Sequence, residues 1–229
     1  MAITQASLTG AANTVDASSF TTASITPTAN RLVIAVIYNR SGITDPAETP
    51  TLSGNGLTWV QITTTTAGNT RDRVTMFRAM GASPSSGAVT IDFAGNTQNA
   101  CHHSIFEFAG IDTSGTNGSG AVVQSATNSG TATSLTVTLA AFGSTDNGAT
   151  SGFEHRANEA TTPETNWTEI HDVTEINPNS NLETQWRADN DTTASASWTT
   201  LANCGGIAIE IKAAAAVAIA EDESYVMVM

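Results

Sequence analysis

The stretch Leu32-Val33-Ile34-Ala35-Val36-Ile37-Tyr38 constrains the fold more than any other part of the chain. It is a continuous apolar run rich in β-branched residues, too short for a helix that would bury itself all round. It therefore predicts a central strand covered on both faces. Other segments alternate instead. Val89, Ile91 and Phe93 share one face with Thr90 and Asp92 on the other, and Leu135, Val137 and Leu139 alternate with Thr136 and Thr138. Ile207, Ile209 and Ile211 alternate with Ala208, Glu210 and Lys212, and Arg73 to Met80 interleaves apolar and polar residues. A period of two is what a half-buried antiparallel sheet requires.

Weaker strand candidates fill the intervals: Ser18–Ile25, Leu57–Thr65, Ser104–Ala109, Ala121–Ser125, Ala149–Glu154, Trp167–Val173, Leu182–Ala188 and Ser195–Leu201. Turn chemistry separates many of them, as in Ser53-Gly54-Asn55-Gly56, Asp146-Asn147-Gly148 and Asn177-Pro178-Asn179. Gly and Asn tolerate the positive φ such turns need. No segment before residue 212 combines helical spacing with a cap and a stop. Threonine supplies 38 of the 229 residues, which favours strands over helices. The expected fold class is all-β: an antiparallel β-sandwich, jelly-roll-like, over residues 1–212. Residues 213–229 form a short C-terminal arm. There Ala213–Ala220 gives way to Glu221-Asp222-Glu223 and then to the alternating, sticky Ser224–Met229. Left exposed, such a segment is a liability, so Tyr225, Val226, Met227, Val228 and Met229 are the candidate partner-binding residues.

Charge narrows the partners. Acidic residues outnumber basic ones 21 to 8, for a net charge of −13, and Lys212 is the one lysine. No basic footprint exists for nucleic acid, and an anionic membrane surface would repel the chain. The opening MAITQASLTG has neither the basic nor the apolar region of a signal peptide, and no apolar run is long enough to span a bilayer. The expectation is synthesis in a cytoplasm, with release by a route that needs no signal, such as lysis. Cys101 and Cys204 exclude a disulfide-dense scaffold and read as two buried thiols, with a single bridge as the alternative.

Groups that could carry chemistry are sparse. Cys101-His102-His103 with Glu107 has metal-ligating side chains, but neighbouring strand residues face opposite ways. Glu154-His155 and Glu169-Ile170-His171-Asp172 are the second candidate, and there Glu169 and His171 are spaced to share one strand face, as a metal or an acid–base pair would need. Asp189-Asn190-Asp191 is an oxygen-rich loop without the full calcium-loop pattern. Trp59, Trp167, Trp186 and Trp198 suit a sandwich core, or else a platform for sugars. No nucleophile elbow, phosphate loop or dinucleotide fingerprint is present. No enzymatic activity, cofactor or metal is expected.

A resemblance runs over residues 18–212. Thr21–Val33, with its Ile25-Thr26-Pro27-Thr28-Ala29-Asn30-Arg31-Leu32 core, precedes the buried strand. Gly56-Leu57-Thr58-Trp59, the alternating Met76–Gly87, Val89–Phe93 and Phe106-Glu107-Phe108-Ala109-Gly110-Ile111-Asp112 follow in order. This series resembles a β-sandwich family of tailed-phage virion proteins, also seen in bacterial surface proteins. The resemblance implies a sandwich fold and a place in the virion, and it supplies no site residues. The expected function is that of a capsid decoration (cement) protein, whose partners are the major capsid protein or another virion protein and further copies of itself, a trimer being favoured. The alternative is a carbohydrate-binding or adhesion module that takes a glycan.

Overall fold

The computed structural model describes residues 2–42 and 47–215. The arm residues Tyr225, Val226, Met227, Val228 and Met229 lie outside them. The protein is an all-β sandwich of antiparallel sheets, and one short 3-10 turn, Ser119–Ala121, is the helical element among the described residues.

The strands are β1 (Thr4–Asn13), β2 (Ser19–Thr21), β3 (Leu32–Ser41), β4 (Thr51–Ser53), β5 (Val60–Thr66), β6 (Asp72–Ala79), β7 (Thr90–Asp92), β8 (Gln98–Ala109), β9 (Val122–Thr138), β10 (Gly148–His155), β11 (Thr162–Pro163), β12 (Thr168–Ile176), β13 (Asn179–Arg187) and β14 (Thr193–Ile211). The first sheet has the order β1-β8-β3-β6-β5. The second has the order β11-β14-β10-β13-β12, with β9 also paired to β14. A small third sheet, β2-β7-β4, lies outside the first.

All ten residues of β3 are buried, as its unbroken apolar run requires. Leu32, Ile34, Val36 and Tyr38 pack with Phe106, Leu182 and Ile209 in the core between the first and second sheets. Val33, Ala35 and Ile37 point the other way and pack with Phe20, Ile91 and Phe93 beneath the small sheet. A third core lies on the far face of the second sheet, where Phe153, Cys204 and Ala208 meet Leu135, Val137, Ala196 and Trp198.

That third core exists because two long strands fold over. In the β9–β14 pairing, Ser197 faces Ser134 but Ala202 faces Ala132, so four residues of β14 bulge against Thr133. Beyond this bulge both strands turn back across their own sheet. Asn128 Nδ2 donates to the Thr136 carbonyl, and the Gln124 amide bonds both the N–H and the C=O of Ala140. The segments Ala121–Ser125 and Leu135–Leu139, which the sequence suggests as separate strands, thus belong largely to one 17-residue strand. Ser195–Leu201 and Ile207–Ile211 likewise belong to β14. Cys101 and Cys204 are free buried thiols in different cores.

The sheets meet closely where glycine permits it. A Cβ on Gly152 would lie 2.7 Å from Val36 Cγ1, whereas one on Gly130 would meet nothing within 4 Å. Gly152→Ala is expected to destabilise the fold by about 1–3 kcal/mol through overpacking. Gly130→Ala is expected to stay within about 0.5 kcal/mol of the parent. Urea unfolding of the two variants checks the contrast, and equal midpoints would refute it.

Candidate functional site

The sandwich concentrates its buried charge at one end. β3 and β10 face each other across the central core, and both run out of apolar residues there. Tyr38 ends the apolar run of β3 and Arg40 lies two residues on, while Glu154 lies near the end of β10 and Arg156 just past it. Asp72, at the start of β6, sits among them with no exposure. Tyr38 donates its hydroxyl to Asp72 Oδ1 at 2.8 Å. Arg40 Nε lies 3.8 Å from Oδ1, and Arg156 Nε lies 3.6 Å from Oδ2. Glu154 is also fully buried, and neither of its carboxyl oxygens has a hydrogen-bond partner among the described residues.

Burial pushes the Glu154 carboxyl well up from its ordinary value, and the charge of Asp72 adds to the effect while Arg156 opposes it. The Tyr38 phenol is raised for the same first reason, burial, with Asp72 next. Arg40 is lowered by burial and then by the neighbouring Arg156. Two guanidiniums thus flank the carboxylate of Asp72. Above them opens a cleft of about 520 Å³. Its walls are the β12–β13 turn, Ile176-Asn177-Pro178-Asn179, and the β14 bulge, Leu201-Ala202-Asn203. The carboxyls are sealed below, so the charged groups that line the cleft are the two arginines.

The groups suggested by sequence are placed as follows. Cys101 lies in the core under the small sheet, and His103 and Glu107 follow at its period-two positions on β8. His102 points into the central core, where its ring meets Tyr38 edge-on at 5.0 Å and bonds the Val173 carbonyl and Ser180 Oγ. Glu107 is taken up by Thr28 and by Arg31 at 2.9 Å. Glu169 and His171 do not share a face, because β12 bulges between them where it pairs with β13. The bulge turns His171 inward. Its Nε2 lies 2.6 Å from Ser7 Oγ and its Nδ1 lies 2.8 Å from Ser104 Oγ, which in turn bonds Thr184. A serine, an imidazole and a second hydroxyl in series have the order of a nucleophile relay. Here the chain of bonds ties β1 and β8 of the first sheet to β12 and β13 of the second, and its plainest role is to fasten the edge strand β1. Asp189 and Asp191 both engage Arg187, and Asp191 Oδ1 also accepts from Thr193, so both oxygens of Asp191 are taken up within the loop. Trp167 and Trp198 are buried, and Trp59 and Trp186 are half-buried against the cores. The four are divided among the three cores. Among the described residues no group of three or more His, Cys, Asp or Glu side chains is arranged to hold a metal.

Sequence reasoning singled out Glu154 but missed Arg40, Asp72 and Arg156. They are far apart in the chain, and only the facing of β3, β6 and β10 assembles them. Comparison with known proteins gives no match to any family model, curated protein or solved structure.

The buried groups set an acid–base signature. Burial pushes His102, His103 and His155 down to about 4. Between the ordinary histidine value of 6.5 and about 4, the unfolded chain takes protons that the fold refuses. Stability therefore falls as the pH drops through that window, by about 1.4 kcal/mol per pH unit for each proton. Glu154 has the opposite sign: the fold keeps a proton that the unfolded chain loses above its ordinary 4.5. Its contribution is whole below that pH and is lost as the pH rises. Glu154→Gln is expected to match the parent below pH 4.5 and to become progressively more stable than it towards pH 8. Asp72→Asn, which strands two guanidiniums, is expected to cost about 3–5 kcal/mol at neutral pH. Urea titrations across pH check both, and a Glu154→Gln difference that is independent of pH would refute the protonation assignment.

Proposed function

We propose that the protein is a non-enzymatic structural component of a tailed-phage particle, a decoration protein that seats its sandwich on coat subunits and clips neighbours together with its C-terminal arm. The observation that carries this reading is where the core closes. Ala213 bridges to Ile111, Lys212 N–H donates to the Ala121 carbonyl, and Ala214 N–H donates to the Gly110 carbonyl. Among the described residues, Ala213 is the last to join the central core. The clamp lies beside a groove of about 460 Å³ lined by Asp112, Val123, Lys212 and Ala213–Ala215. The alternating residues Tyr225–Met229 carry the apolar pattern that such a contact with a neighbouring subunit needs, by strand addition or as a short arm. The net charge of −13 suits a protein that must stay soluble until it assembles. The resemblance of residues 18–212 to virion sandwiches supports the same reading.

The test compares the full chain with one lacking Ser224–Met229. Light scattering is expected to show a closed oligomer, a trimer, for the full chain. Particles purified from a lysate of the source are expected to contain the chain, and the truncation is expected to cut its occupancy about tenfold, the effect of losing about 1.4 kcal/mol of contact. The truncated protein is expected to keep the parent melting temperature. Particles free of the chain would overturn the virion reading. Undiminished occupancy after truncation would overturn the clip.

A further inference from the structure

We propose that the cleft over Arg40 and Arg156 binds a carboxylate-bearing sugar, with the carboxylate on the two guanidiniums and the hydroxyls on Asn177, Asn179 and Asn203. This goes beyond the virion reading and does not depend on it.

The first support is an imbalance of partners. Each of the other six basic side chains has a hydrogen-bonded partner of its own, from Arg187 with Asp191 at 2.6 Å to Arg71 with the Ser41 carbonyl at 3.4 Å. Arg40 and Arg156 share Asp72 at 3.8 and 3.6 Å, too far for hydrogen bonds. Arg40 is nine-tenths buried, and its Nε has no hydrogen-bond partner among the described residues. Burial pushes the Glu154 carboxyl well up, which weakens it as a counter-charge. Two guanidiniums thus lie beside one carboxylate without a hydrogen bond to it, in a protein whose net charge is strongly negative. Paired guanidinium forks match the two oxygens of a carboxylate.

The second support is the character of the walls. Asn177 and Asn179 on one side and Asn203 on the other offer amides, each able both to donate and to accept. Asn203 Oδ1 already accepts from Thr131 Oγ1, so that amide has its donor end to offer. Neighbouring hydroxyls on a sugar ring need such mixed partners. Ile176 and Leu201, 70% and 68% exposed, are two of the four exposed large hydrophobic residues among the described ones, and both line this cleft. Aliphatic side chains placed there can cover the C–H face of a ring. A volume of about 520 Å³ lies within the range of small-ligand sites.

The experiment is calorimetric titration of the full chain with N-acetylneuraminate, glucuronate and galacturonate. Glucose, acetate, inorganic phosphate and a short peptide with a free C-terminal carboxylate serve as comparison probes. At least one acidic sugar is expected to bind at least tenfold more tightly than any comparison probe. Arg156→Gln is expected to weaken that sugar at least tenfold. Leu201→Ser, on the exposed lip, is expected to weaken it severalfold and to keep the parent melting temperature, whereas Arg156→Gln, which removes one of the two cations beside Asp72, is expected to lower it, so circular dichroism at the titration temperature checks that this variant is folded. Failure of all three acidic sugars to bind overturns the proposal. So does acetate or glucose binding as tightly as the best acidic sugar, since either would show that only half of the site is recognised. Tighter binding of phosphate or of the peptide overturns it in favour of that ligand. Binding that survives both substitutions places the sugar elsewhere and overturns the site.

Discussion

Burial of β3 on both faces is the constraint from which the rest of the architecture follows. Ten consecutive buried residues leave the strand no solvent side, so the first sheet needs a cover on each face. The second sheet supplies one cover. The small sheet supplies the other, although its strands β2, β4 and β7 are only three residues each. Strands that short are not stable alone, and they persist because Phe20, Ile91 and Phe93 fill the face that Val33, Ala35 and Ile37 present. The same strand also fixes the charged end. Where its apolar run stops, Tyr38 still points into the core and carries its hydroxyl to Asp72, and Arg40 follows at the next inward position.

The regular part of this design was legible in the sequence because its signals are local. The buried run of β3, the alternation in β6 and the isoleucines of β14 each identify a strand and its inward face. What was missed depends on partners far along the chain. β1 is an edge strand of small and polar residues apart from Leu8, with no buried position, so its pattern carries little contrast. The fold-over of β9 and β14 occurs among Thr131, Ala132 and Thr133, which carry no Gly or Pro signal for a bend. A bulge defeated the facing of Glu169 and His171, because one extra residue reverses the alternation on which the inference rests. The charged end was invisible for a different reason. Arg40, Asp72 and Arg156 look like ordinary polar residues near strand ends, and nothing in their spacing says that three strands bring them together.

A chain with so few charged residues nevertheless buries several of them, and each is made tolerable in its own way. Glu107 is neutralised by Arg31 and hydrogen-bonded by Thr28. Glu210 accepts from Gln124 and Asn147. Glu183, whose carboxyl oxygens are buried with no hydrogen-bond partner among the described residues, is pushed well up by burial and then by Glu169 and Asp172, which favours its neutral form. Burying a charge without one of these remedies costs several kcal/mol, more than a marginally stable domain can lose. Such groups also forbid alternatives. A one-residue slip of β10 would turn Glu154 toward the Phe153 core and bring Phe153 against Tyr38, Asp72 and the arginines. The polar end thus pins the register that the apolar alternation only favours.

The same logic explains why the cleft is positive in an acidic protein. Asp72 is sealed beneath Tyr38 and must be compensated, and a single arginine placed 3.8 Å away does not satisfy both of its oxygens. A second, Arg156, supplies the other side. Burial and the charge of Asp72 both push the Glu154 carboxyl up, so it is a poor counter-charge for the guanidiniums. The cationic mouth is therefore a consequence of how the interior is neutralised, and it sits among the amides of Asn177, Asn179 and Asn203 and the exposed side chains of Ile176 and Leu201.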